Sequence, residues 1–216
     1  MDLTGNTFFE GPAGKIEAIL KEPSGEVTRA AIVCHPHPLF GGTMHNKVVY
    51  RIAKAFQKAG FAVLRFNFRG AGQSQGEHDR GRGEQDDLRA AIKFVEERYP
   101  EAEIWLAGFS FGSAVMLRAA CEDERIRALI GVGVPVSKYD FDRVQTCAQP
   151  KLFVQGELDE FGTPADLERF VAALGEPKRL KIIEGTGHFF EDKLDELERA
   201  VAEFVEATSA QEDPRA

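Results

Sequence analysis

One stretch constrains the fold of this chain more than any other: Ile104-Trp105-Leu106-Ala107-Gly108-Phe109-Ser110-Phe111-Gly112-Ser113-Ala114-Val115-Met116-Leu117. Its apolar start reads as a buried strand and its apolar end as the first turns of a helix. Between them, Gly108-Phe109-Ser110-Phe111-Gly112 fits G-x-S-x-G, a pattern in which a serine sits strained at a strand-to-helix reversal with its hydroxyl pushed into the open. The flanking glycines have a steric reason. Strand and helix pass so close beside such a turn that a Cβ at either position would clash, and glycine has none.

A serine so placed becomes a nucleophile only with a base to take its proton and a carboxylate to hold that base in the right tautomer. Candidates for both follow strands. Gln155-Gly156-Glu157-Leu158-Asp159-Glu160 comes after the expected strand at 151–154, and Glu184-Gly185-Thr186-Gly187-His188-Phe189-Phe190 after the last expected strand, at 180–183. The chain order Ser, Asp, His belongs to this elbow type. Asp159 is the expected carboxylate, in preference to Glu157 and Glu160 in the same loop and to Asp140 and Asp142 after an earlier strand. His188 is the expected base, because His35, His37, His45 and His78 all precede the serine.

Elsewhere, strands and helical stripes alternate. Residues 7–10 and 15–21 read as two strands joined by Gly11-Pro12-Ala13-Gly14, a hairpin at a sheet edge. Further strands are expected over 30–34, 61–68, 128–134, 151–156 and 180–183, besides the one that enters the elbow. Helical spacing recurs in Val49, Ile52, Ala53 and Phe56; in Leu88, Ala91, Ile92 and Val95; in Leu167, Phe170, Val171 and Leu174; and in Leu194, Leu197, Val201 and Phe204. The alternation predicts an α/β architecture, a mostly parallel central sheet of about eight strands with helices on both faces. No repeat, low-complexity segment or linker-like break interrupts it, so residues 1–207 read as a single domain and 208–216 as a polar C-terminal tail. In such sheets ligands sit at the carboxyl ends of the strands, so the loops that matter follow strands. Residues 70–76, with three glycines one position out of step with G-x-G-x-x-G, read as a turn crossing near the active site.

A chain of 216 residues buries a full core without disulfide or metal support. A net charge of -8, with no run of Lys or Arg, argues against nucleic acid or an anionic membrane as partner. The segment Met1-Asp2-Leu3-Thr4-Gly5-Asn6 lacks signal-peptide character, and no apolar run reaches membrane-spanning length, so a cytoplasmic location is expected. Cys34, Cys121 and Cys147 are odd in number and form no C-x-x-C, which suits a reducing compartment.

The motifs Gly108-Phe109-Ser110-Phe111-Gly112, Gly156-Glu157-Leu158-Asp159 and Gly187-His188 together resemble the α/β-hydrolase superfamily over nearly the whole chain. More narrowly, His35-Pro36-His37-Pro38 with Gly41-Gly42-Thr43-Met44-His45-Asn46-Lys47, and Asn67-Phe68-Arg69-Gly70 with Gly72-Gln73-Ser74, resemble small lid-less bacterial hydrolases and esterases akin to dienelactone hydrolases. Ser110 stands where dienelactone hydrolases carry Cys. The resemblance implies an α/β-hydrolase fold and cleavage of an ester through an acyl-enzyme on Ser110, with His188 as acid and base and Asp159 steadying it. It implies an oxyanion hole from the Phe111 N–H and one N–H after Cys34. Pro36 and Pro38 have none to give, which leaves His37 as the best donor and Leu39 as the fallback.

Residues 135–150 leave no room for the helical lid of larger relatives. An open site lined by Leu39, Phe40, Met44, Phe109, Tyr139 and Phe189 is therefore expected, suited to small or short-chain esters. The expected partner is a small-molecule ester, with no cofactor and no metal, in a monomer or a homodimer. Thioesters or amides use the same acyl-enzyme. Two other readings are a non-catalytic receptor on the same fold, and a metal site built from His35, His37 and His45.

Overall fold

The alternating pattern resolves into one eight-stranded sheet in the computed structural model, which describes residues 6–121 and 123–210. The strands β1 (Asn6–Gly11), β2 (Gly14–Lys21), β3 (Arg29–Cys34), β4 (Ala62–Phe66), β5 (Glu103–Phe109), β6 (Ile126–Val132), β7 (Lys151–Gly156) and β8 (Lys178–Ile183) lie in the order β1-β2-β4-β3-β5-β6-β7-β8. The β1–β2 hairpin joins β4 antiparallel, and every other pair is parallel. Strands β3 to β7 are covered on both faces and are nearly all apolar, as central parallel strands must be. The edge strand β8 instead alternates and carries Lys178, Arg179 and Lys181, charges that discourage edge-to-edge pairing.

Helices α1 (Lys47–Lys58) and α5 (Leu194–Ala210) cover one face, with Ile52, Phe56, Leu197 and Phe204 packed around Trp105 and Ile130. On the other face, α2 (Gly83–Arg98), α3 (Phe111–Ala120) and α4 (Pro164–Ala173) bury Leu88, Ile92, Met116, Leu117 and Leu167 against Leu106, Leu129 and Phe153. Local signals start the helices. Asn46 Oδ1 accepts the Val48 N–H at 2.9 Å to cap α1, and Thr163 Oγ1 accepts the Asp166 N–H at 3.2 Å to cap α4, with Pro164 at its first position. Among the described residues no helix is long and apolar enough to cross a membrane. Between β6 and β7 there is a short 3-10 turn, Asp142–Thr146, and no lid.

Of the boundaries that differ from the sequence reading, three have a visible cause. Strand β4 stops at Phe66: the Asn67 N–H still bonds Glu17 O of β2 at 2.8 Å, but the Phe68 N–H turns away to His35 Nε2 at 2.9 Å. Strand β6 ends at Val132, since Gly133 bends the chain at φ 58°. Helix α5 runs through 208–210, residues expected in the polar tail: Thr208 is buried and Ser209 Oγ accepts from Arg29 at 3.2 Å. Residues 211–216 of that expected tail lie outside the described residues.

The glycine-rich segment 70–76 is tied to the hairpin side of the sheet and does not line the cavity that holds Ser110. Buried Glu17 accepts from Asn67 Nδ2 at 2.7 Å and from the Gln73 N–H at 2.8 Å, while Ser74 Oγ donates to the Asn67 carbonyl at 2.6 Å. Asn67 Oδ1 in turn accepts the Met44 N–H at 2.8 Å. The network fixes the loop after β3 from behind, a structural task rather than a nucleotide cradle.

Candidate active site

The β5–α3 reversal puts Ser110 at φ 54° and ψ -121°, a strained region for a residue with a side chain. The packing explains why only glycine fits on either side. A Cβ on Gly108 would lie 2.5 Å from the Gly112 carbonyl carbon, and one on Gly112 would lie 2.5 Å from the His35 carbonyl oxygen. The strained backbone is held by the Ser110 N–H donating to Val132 O at 2.8 Å and by Ser113 Oγ donating to Ser110 O at 2.6 Å.

Loops that follow β7 and β8 bring two more side chains to that hydroxyl. His188 Nε2 is 2.9 Å from Ser110 Oγ, and His188 Nδ1 is 2.8 Å from Asp159 Oδ2. An ionised carboxylate only accepts, so Nδ1 holds the ring proton and the bare Nε2 accepts from the serine hydroxyl. Asp159 is fully engaged: Oδ2 also accepts from Gln155 Nε2 at 2.8 Å, and Oδ1 accepts the N–H groups of Phe161 at 2.8 Å and Gly162 at 3.2 Å. Gln155 is itself pinned, its Oε1 accepting the Val134 N–H at 3.0 Å and its Nε2 donating to Gly162 O at 2.6 Å. Glu157, Glu160, Asp140 and Asp142 make no contact with the imidazole.

The His188 ring sits among the rings of Phe109, Phe161 and Phe189, with centroids 4.9, 4.7 and 5.3 Å away. Gly133 closes the fourth side: a Cβ there would lie 3.0 Å from His188 Cε1 and 2.9 Å from the Phe109 ring. With 5% of its surface exposed, the imidazole has little freedom to leave the line between Asp159 and Ser110.

The Phe111 N–H, at the first position of α3, and the His37 N–H donate to no protein acceptor among the described residues. The Leu39 N–H, the fallback oxyanion donor, is taken by His37 Nδ1 at 3.3 Å. The His37 ring packs 4.8 Å from Phe111 and 4.6 Å from His78, and burial, then the neighbouring His78, hold its pKa below the usual value. His78 in turn approaches Glu84 Oε1 at 2.7 Å, though at an angle that does not meet hydrogen-bond geometry.

His35 is wholly buried. Its Nε2 accepts the Phe68 N–H, so its Nδ1 donates to Pro36 O at 2.6 Å, and burial pushes its pKa down to about 4. Both nitrogens are thus committed to backbone, and His45 is exposed to solvent. Among the described residues no three His, Cys, Asp or Glu side chains gather as a metal site.

Ser110 and His188 open into a cavity of about 560 Å³. Of the six expected lining residues, Phe40, Tyr139 and Phe189 face it, and three need correction. Met44 and Phe109 are fully buried, Phe109 as the ring beneath His188 and Met44 behind the loop after β3. Leu39 is 70% exposed and does not line the cavity. The wall instead includes Phe111, Pro135, Lys138 and Phe161.

The alpha/beta hydrolase fold family matches residues 37–146, a segment that begins in the loop after β3 and contains the elbow. The chain belongs to that family. A serine hydrolase homologue of this fold from Coxiella burnetii is 39% identical, covers 94% of this chain and 97% of its own, and superposes with a TM-score of 0.89. A serine hydrolase without a lid from Xanthomonas campestris is 40% identical over 94% of each chain, with a TM-score of 0.87. An uncharacterized protein of Rickettsia prowazekii is 35% identical over 207 residues, 92% of this chain and 87% of its own.

In this alpha/beta hydrolase the sequence reading missed Gln155, Gly133 and Phe161. Gln155 carried a signal, as a polar side chain ending the otherwise apolar run 151–154 and wholly buried in the fold. Gly133 and Phe161 carried none, because their contacts with His188 come from loops that meet only after folding.

Proposed function

We propose that this protein is a serine hydrolase that cleaves small or short-chain carboxylic esters by two-step acyl transfer. The observation that carries the reading is the unbroken hydrogen-bonded series from Asp159 through His188 to Ser110 at the floor of an open cavity.

Ser110 Oγ attacks the ester carbonyl as His188 Nε2 takes its proton, and the imidazolium formed is stabilised by Asp159. The negative charge that develops on the carbonyl oxygen meets the free N–H groups of Phe111 and His37, of which the former also lies at the positive end of α3. His188 then gives its proton to the leaving alcohol, and a water activated by the same imidazole releases the acid. The strained elbow leaves the hydroxyl exposed to this attack without a backbone movement.

Among the described residues no lid segment lies between β6 and β7, so a long chain gains little burial beyond the first few carbons. A series of 4-nitrophenyl esters from acetate to palmitate tests this: kcat/KM is expected to peak at short chains. Strong preference for long chains with no turnover of short ones would overturn the proposal.

A further inference from the structure

The wall of the cavity bears no Asp or Glu side chain, although the chain as a whole carries a charge of -8. Asp159 lies behind His188, with 3% of its surface exposed. Among the described residues Lys138, on the segment between β6 and β7, is the one Lys or Arg that lines the cavity, and no carboxylate pairs with it. Beside it, Tyr139 lines the same wall, its ring edge-on to Phe111 with centroids 6.2 Å apart. The Tyr139 hydroxyl makes no hydrogen bond to the protein among the described residues. Half-burial pushes its pKa up, with Arg118 opposing the shift and Glu84 adding to it, so the phenol keeps its proton at neutral pH. Two consecutive residues, a lysine and a tyrosine, therefore line a wall that also carries Phe40, Phe111, Pro135, Phe161 and Phe189, and neither the ammonium nor the hydroxyl is hydrogen-bonded within the described residues.

Resting on the serine-hydrolase reading above, we infer that Lys138 and Tyr139 form an anion subsite, and that the substrates are esters carrying a carboxylate within reach of the hydrolysed bond. Lys138 supplies the charge and the Tyr139 hydroxyl a directed hydrogen bond, while the aromatic wall takes the apolar part between the anion and the ester. A positive spot in a negative protein also favours capture of such a substrate over its neutral counterpart. The carboxylate takes no part in the chemistry: the ester C–O bond breaks, water supplies the hydroxyl, and the anion leaves with one product unchanged.

The test compares kcat/KM for two matched pairs at low ionic strength. Mono-4-nitrophenyl adipate against 4-nitrophenyl hexanoate places the charge on the acyl side, and 4-acetoxybenzoate against phenyl acetate places it on the alcohol side. In at least one pair, Lys138→Gln is expected to lower the anionic-to-neutral ratio by about fivefold, the scale of one solvent-accessible charge pair, and added salt to lower it in the wild type. Lys138→Arg is expected to keep the ratio, and Tyr139→Phe to lower it about tenfold, the scale of one hydrogen bond to a charged group. Ratios that Lys138→Gln leaves unchanged in both pairs, in a protein that turns over the neutral esters, overturn the subsite alone. A folded wild type that turns over none of the four esters overturns the subsite and the serine-hydrolase reading together.

Discussion

Two buried histidines, His35 and His188, end up with opposite capacities although each follows a strand and each uses both ring nitrogens. His35 lies between the Pro36 carbonyl and the Phe68 N–H, two backbone groups that can neither give up nor accept a proton in a reaction. His188 lies between the Asp159 carboxylate and the Ser110 hydroxyl, where the proton held by the serine has somewhere to go and the resulting charge has a partner. Burial therefore does not distinguish a structural histidine from one placed to move a proton. What distinguishes them is the chemistry at the far side of each nitrogen, a backbone dead end in one case and a transferable proton with a counter-charge in the other.

Removing each ring should separate these roles. His188→Ala is expected to lower kcat/KM on a short-chain ester by about 10⁴-fold or more, with little change in Tm, since loss of the base disables the nucleophile as a unit. Gly133→Ala attacks the same ring from outside. A methyl group there meets His188 and Phe109 at a positive φ, and displacing the imidazole is expected to cost about 10²-fold in kcat, because small misplacements of a catalytic group are that expensive. Circular dichroism and Tm beside the kinetics check that each variant remains folded.

His35→Ala should read out in stability instead. Two buried backbone groups lose their partner and a ring-sized cavity opens, which is expected to destabilise by about 3 kcal/mol in urea unfolding. A loss in His188→Ala equal to that in His35→Ala would break the contrast between the two sites.

Acid sharpens the comparison with the smallest effect. The folded pKa of His35 is near 4 against an ordinary 6.5, so above pH 6.5 both folded and unfolded chains hold it neutral and it adds no pH dependence. Between 6.5 and 4 the unfolded chain takes up a proton that the folded one refuses, and stability is lost as pH falls, levelling below 4. Urea unfolding at several pH values over that range is expected to show a steeper fall for wild type than for His35→Asn.

The sheet and the meeting of Ser110, Asp159 and His188 are legible because each rests on a local rule. Mostly apolar runs point to β3 to β7, G-x-S-x-G to Ser110, and position after a strand to Asp159 and His188. The cavity wall was not legible in the same way. Met44 and Phe109 are as apolar as Phe40 and Phe189, and only tertiary packing decides that the first two are sealed and the last two face the cavity. Phe161 is two residues from Asp159, and its place on the wall depends on its own N–H bonding back to that carboxylate. The end of α5 was misjudged for a related reason: Thr208 and Ser209 are polar by type, but one is buried and the other answers Arg29 across the fold.

The central claim is that Ser110 is an activated nucleophile, and covalent labelling with a fluorophosphonate tests it most directly. Intact mass and peptide mapping of the wild-type protein should give one adduct, on Ser110, that is absent from a folded Ser110→Ala variant. A folded wild type that takes no label, or a variant labelled as fast as the wild type, would contradict the account.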